Sequence, residues 1–212
     1  MKKYFTLVEI LVVIGIIGLL CALIFPVFFI AREKSRKITC VSNLRQISQG
    51  VLQYTQDYDG YFPTGDYWLT KEIPYINKNN LSCPSAKYFK RKEEGENESR
   101  KSTGYAYNTR LAILIRNFDE PSKTAGEFEL AYPSMTVLLA DQAPQLSMAF
   151  APDMTRYMTV EGLSEKGWTR HSGGANYAFC DGHVKWYRPE QVLPADAKND
   201  GTKPTFEVLE KH

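Results

Sequence analysis

Four side chains toward the C-terminal end, Asp141, His171, Asp181 and His183, are of the types that bind metals or move protons. Zinc takes imidazole and carboxylate ligands in a tetrahedron, and His171 and His183 with an Asp would supply them. Their spacing matches no standard zinc signature. The same residues have a structural reading. Asp181-Gly182 is the pair that a tight hairpin turn demands, and His171 in Arg170-His171-Ser172-Gly173-Gly174 can pin a Gly-rich loop through ring hydrogen bonds. Ser172, His171 and Asp141 make a Ser-His-Asp triple on paper, but such triples arise by chance in chains of this length. There is no Gly-rich phosphate loop, GxSxG elbow or HExxH, and of three His residues His212 is terminal. The chain is therefore expected not to be an enzyme.

A fifth chemical residue stands alone at the other end. Phe5 to Ala31 reads FTLVEILVVIGIIGLLCALIFPVFFIA, apolar except for Glu9 near its start. A hydrocarbon core of about 30 Å needs roughly 20 such residues in helix, so the run is expected to span a membrane. A carboxylate at mid-bilayer costs about 2.5–3.5 kcal/mol, and less toward the polar end where Glu9 lies. An ordinary uncleaved signal anchor would also account for the run. The flanking charges, Lys2 and Lys3 before it and Arg32, Lys34, Arg36 and Lys37 after it against Glu33, would by themselves favour a cytoplasmic C-terminal side.

These residues must be positioned by a helix and a sheet. Ile38, Val41, Leu44, Ile47, Val51, Tyr54 and Tyr58 recur at steps of three or four, opposite Arg45, Gln46, Gln49, Gln53 and Gln56. That is one apolar helical stripe. No strong breaker follows Ile30, so the membrane helix is expected to run on to about Tyr58 as a rod of about 80 Å, ended by Asp59-Gly60 with Pro63 beyond. The remaining residues, about 150, suffice for one domain. Thr136 to Ala140, Ala175 to Cys180 and His183 to Tyr187 read as strands, the last two joined as a hairpin by Asp181-Gly182. Lys87 to Lys101 is charged and expected to be a solvated loop. The polar end is expected to be loosely held, with Phe206, Val208 and Leu209 able to dock. A net charge of +2 gives no reason to expect nucleic acid as a partner.

Phe5-Thr6-Leu7-Val8-Glu9 and the unbroken apolar helix after it resemble the N-terminal segment of type IV prepilins and type II secretion pseudopilins. The resemblance implies a mature chain beginning at an N-methylated Phe5, with Glu9 as its fifth residue and Pro26 at the family's helix-loosening proline. Tyr4 stands where the family has Gly, a departure at the residue before the cleavage point. The implied fold is α+β, a long N-terminal α-helix packed on a C-terminal antiparallel β-sheet head. The implied division is a leader at 1–4, the transmembrane half of the helix at 5–31, its amphipathic half at 32–60, a β-rich head at 61–195 and a loose tail at 196–212. The implied function is a subunit that anchors in the bacterial inner membrane with its head in the periplasm and assembles into a pilus or pseudopilus, which could reach the cell surface. Its partners would be copies of itself, other pilin-like subunits, the prepilin peptidase and the inner-membrane assembly platform.

His171 and Asp181-Gly182 in HSGGANYAFCDGH resemble the His-x9-Asp-Gly module of one subgroup of these proteins, at 171–182. Cys40-Val41-Ser42-Asn43-Leu44, Cys83-Pro84-Ser85, Tyr105-Ala106-Tyr107-Asn108 and Leu139-Ala140-Asp141 fall in the order that subgroup shows. Because major pseudopilins bind Ca2+ in the head, the resemblance raises a metal site at Asp141, His171 and Asp181, although His is an uncommon calcium ligand. Cys21 lies in the span. Of Cys40, Cys83 and Cys180, placed in an oxidising space, Cys40 with Cys83 is the preferred disulfide, closing a loop of about forty residues and stabilising by about 2–4 kcal/mol. Three free thiols is the open alternative. A different class of function is also open: a membrane-anchored binding protein that never polymerises and uses Trp68, Trp168 and Trp186 in its head to hold a ligand.

Overall fold

The computed structural model describes residues 6–63, 74–86, 104–112, 124–141, 169–193, 199–206 and 208. Tyr4, Phe5, Trp68, Trp168, Leu209 and the charged segment Lys87 to Lys101 lie outside the described residues. The chain is α+β, one long N-terminal helix and a four-stranded antiparallel sheet.

Helix α1 spans Leu7–Asp57 as one element of 51 residues. Its start is fixed by a capping box. The Glu9 N–H donates to Thr6 Oγ1 at 3.2 Å, and the Thr6 N–H donates to the Glu9 carboxylate at 2.8 Å. Two otherwise orphaned donors are thereby satisfied, and the acid sits at the positive end of the helix dipole. The helix runs through Pro26, although an interior proline removes one helical donor and crowds the preceding turn. At the other end the Gly60 N–H donates to the Thr55 carbonyl at 2.8 Å, with Asp59 and Gly60 both left-handed at φ 53° and 81°. That is the expected stop, with Asp59 in a place more often given to Gly.

Strands β1 (Tyr105–Tyr107), β2 (Val137–Asp141), β3 (Ala175–Phe179) and β4 (Val184–Tyr187) pair in chain order. The β3–β4 connection is wider than the two-residue turn read from Asp181-Gly182. The Gly182 N–H donates to the Phe179 carbonyl at 2.9 Å and the Phe179 N–H to the His183 carbonyl at 2.9 Å. Only Gly182 is left-handed, at φ 87°, so the loop is a turn closed by a glycine bulge.

Both faces of the sheet are covered. On one, Leu44, Ile47 and Val51 of α1 pack with Tyr105, Tyr107, Leu139 and Ala178. On the other, Val137, Tyr177 and Phe179 pack with Val192 and Phe206. The loose tail expected from 196 onward is corrected here: Asn199, Thr205, Phe206 and Val208 are buried, and the Val137 N–H donates to the Thr205 carbonyl at 2.8 Å. Two apolar side chains and a backbone bridge to Thr136 outweigh the polar composition of that segment.

The helix stripe is also corrected. Ile38 is 70% exposed and Tyr58 52% exposed, whereas Cys40, Asn43, Ser48, Gly50 and Thr55 join Leu44, Ile47 and Val51 on the buried face. Small residues win there because the backbone comes close. A Cβ on Gly50 would lie 2.8 Å from Ile76 Cγ1 and 3.0 Å from the Tyr75 carbonyl oxygen.

One irregularity in β2 aims a side chain. Val137 pairs with Phe179, but Leu139 pairs with Ala178, so the ladder carries a bulge at Leu138. In a regular strand Val137 and Asp141 would share a face. The extra residue reverses the alternation and turns Asp141 toward the helix.

Candidate functional site

Asp141 meets three side chains brought from distant parts of the chain. Cys40 comes from the middle of α1, Cys83 from the segment at 82–86, and His171 from the loop that leads into β3. All four are buried, and one ligand atom of each lies within 4.8 Å of every other. No disulfide joins Cys40 and Cys83, whose Sγ atoms lie 3.2 Å apart. Cys40 Sγ is 2.9 Å from Asp141 Oδ1 and 3.2 Å from Tyr105 Oη. His171 Nε2 is 3.6 Å from both Cys83 Sγ and Asp141 Oδ2.

The backbone around each residue explains its placement. A Cβ on Gly104 would come within 2.5 Å of Cys83 Cβ, so the glycine leaves the room that Cys83 fills. The loop at His171 is turned by Ser172 and Gly173, at φ 57° and 83°, and closed by the His171 N–H donating to the Gly174 carbonyl at 2.9 Å. Trp186 Nε1–H donates to the His171 carbonyl at 2.8 Å. The loop is thus held through its backbone, and the His171 ring is left to other work. His171 Nδ1 lies 3.1 Å from Glu33 Oε1, and the Ser85 hydroxyl donates to the same carboxylate at 3.1 Å. The Asn176 N–H donates to Asp141 Oδ2 at 2.6 Å.

The electrostatics are crowded. Burial pushes the Asp141 carboxyl up to about 6, while the nearby His171 pulls it back. Burial also raises the Cys40 thiol, whereas the Cys83 thiol is lowered, chiefly because Cys40 donates to it and also through His171 and Arg170. For His171, burial acts downward, and Cys83, Asp141 and Glu33 together leave it raised. The single S–H proton of Cys40 faces three acceptors, and the Asn176 amide, on the helix-facing side of β3, has no hydrogen-bond partner among the described residues. Arg170 Nη1, 3.9 Å from Asp141 Oδ1, is one nearby positive charge.

Asp181 is not part of this cluster, which corrects the grouping of Asp141, His171 and Asp181. His171 precedes β3 and Asp181 follows it, so the nine-residue spacing is the length of a strand, about 17 Å for five residues. Asp181 instead accepts from the His183 N–H at 3.1 Å and pairs with His183 Nδ1 at 2.6 Å on the surface. Cys180 is buried in the core apart from the cluster, and Cys21 is exposed on α1. The preferred cysteine pair, Cys40 and Cys83, is adjacent and hydrogen-bonded, with no disulfide between the two. Sequence reasoning missed Glu33, Tyr105 and Arg170. A signal did exist for Tyr105: the five fragments CVSNL, CPS, YAYN, LAD and the His of the module each deliver one residue here.

The second candidate region is the first half of α1. Every residue from Thr6 to Arg32 is exposed, and it is the one helix among the described residues long and apolar enough to cross a membrane. Glu9 lies on it, in the capping box, and Pro26 lies within it. No family model, curated protein or solved structure matches the chain.

Proposed function

We propose that the chain is a pilin-like or pseudopilin subunit whose work is assembly. Residues 5–31 anchor it in the bacterial inner membrane, with the head in the periplasm, until the helix is drawn out and packed among copies of itself and other pilin-like subunits in a type IV pilus or type II secretion pseudopilus. A prepilin peptidase would cut between Tyr4 and Phe5, and the inner-membrane platform would drive assembly. The observation that carries the reading is one uninterrupted helix with two opposite environments. Leu7 to Ile30, about 36 Å of rise, offers apolar side chains all round except for Glu9, and the stretch from Cys40 to Thr55 is fixed to the head. A head-to-tail contact repeated along such rods gives an open filament. In that filament Glu9 meets the N-terminal amine of a neighbour, which offsets the burial of its charge.

The capping box favours a second reading, because Glu9 then has a local partner and needs no neighbour. In that reading the chain is a non-polymerising membrane-anchored binding protein. Glu9→Gln separates the two, since Gln also serves in a capping box but carries no charge. Loss of filament incorporation with normal membrane insertion supports assembly, and incorporation at the level of the unaltered chain rejects a role for the charge. Mass analysis of the native N-terminus adds the processing state, methylated Phe5 or Met1.

A further inference from the structure

We propose that Cys40, Cys83, Asp141 and His171 form a closed tetrahedral zinc site that clamps α1 to the sheet. This goes beyond the assembly reading and stands on a different part of the molecule.

The donor set is two sulfurs, one imidazole nitrogen and one carboxylate oxygen. Such a set suits a borderline-soft ion that accepts a tetrahedron, and it is poor for calcium, which wants six to eight oxygens. Bond lengths of about 2.3 Å to sulfur and 2.0–2.1 Å to nitrogen place tetrahedral ligands about 3.3–3.8 Å apart. The 3.6 Å separations from Nε2 to Cys83 Sγ and to Asp141 Oδ2 lie within that range, and the sulfurs, 3.2 Å apart, open by about 0.6 Å to reach the sulfur–sulfur end of it. The Asp141 Oδ1 contact with Cys40 Sγ, at 2.9 Å, opens by less than 1 Å when the ion takes the place of a shared proton.

The outer contacts are those of a metal centre. Glu33 accepts from His171 Nδ1–H, which fixes the tautomer and leaves the Nε2 lone pair facing Cys83 and Asp141. Asp141 is oriented by the Asn176 N–H, and Glu33 in turn by the Ser85 hydroxyl. Both sulfurs bind as thiolates, with any protons the ligand atoms carry passing to water, and two thiolates and one carboxylate against one Zn2+ leave one negative charge. Arg170 stands 3.9 Å from Asp141 Oδ1 to offset it. A disulfide between Cys40 and Cys83 would instead take away the Cys40 donor and leave the Asp141 carboxylate buried beside an apolar bond. With four buried protein ligands the site has no open position, so its role is structural.

The test uses the full chain purified in detergent without chelator. Elemental analysis is expected to give about one zinc per chain, and Co2+ exchanged into the site is expected to show a thiolate-to-metal charge-transfer band that Cys83→Ser abolishes. Because Cys83→Ser removes a buried group, Glu33→Ala, at a half-exposed position, is the second variant. It should weaken zinc about 10–100-fold in competition with a chelator while all four ligands remain. Asp181→Ala should leave zinc content unchanged. A chain two hydrogens lighter with Cys40 bonded to Cys83 and no zinc overturns the proposal. So does a chain with free thiols that takes up neither added Zn2+ nor Co2+.

Discussion

The two halves of α1 share one hydrogen-bonded backbone and almost nothing else. From Leu7 to Ile30 the residues are exposed and, Glu9 apart, uncharged and mostly large and apolar, and none packs into the described core. From Cys40 to Thr55 the buried face mixes Leu44, Ile47 and Val51 with Cys, Asn, Ser, Gly and Thr, and it is closed against a sheet. The half with more hydrophobic residues contributes less to the fold of the monomer. Burial, and not hydrophobicity as such, is what stabilises a helix in a folded chain.

That contrast can be broken most severely in the core. Leu44→Ala should cost about 2–5 kcal/mol in denaturant unfolding of the head, whereas Leu19→Ala, the same change in the first half, should leave the head transition unmoved. Gly104→Ala should cost about 1–3 kcal/mol by pressing a Cβ against Cys83, and in the same melts Gly15→Ala, where a Cβ would meet nothing within 4 Å, should cost nothing. Trp186→Phe removes the indole donor to the His171 carbonyl and should lower stability by about 1 kcal/mol, with faster amide exchange at the 169–174 loop. The smallest effect is expected at Ile38. Although it belongs to the sequence stripe, Ile38→Ala should stay within about 0.5 kcal/mol by the same unfolding measurement.

The stop of α1 was legible because it is written locally, in Asp59 and Gly60. The capping box itself was readable in Thr-x-x-Glu, but the acid's place in an apolar run drew the reading elsewhere. The strands β2, β3 and β4 were legible from β-branched and aromatic runs. The bulge at Leu138 was not, because VLLA reads equally well with regular alternation, and so the face taken by Asp141 stayed hidden. Cys40 with Cys83 and Asp141 with His171 were each paired in advance for separate reasons. That the two pairs coincide depends on contacts across as many as 101 residues of chain, between Cys40 and Asp141, which no local pattern encodes. Glu33 read as one acid in a basic flank, and only the tertiary fold sets it against a His 138 positions away.

Because α1 has no joint between Ile30 and Cys40, the nine residues between them act as a ruler and a compass at once. They set the sheet at a stand-off of about 15 Å from the end of the greasy segment and lock its azimuth around the axis. Adding a single residue there would lift the head by about 1.5 Å yet swing it by about 100°, so any lateral neighbour that reads its surface would meet a different side.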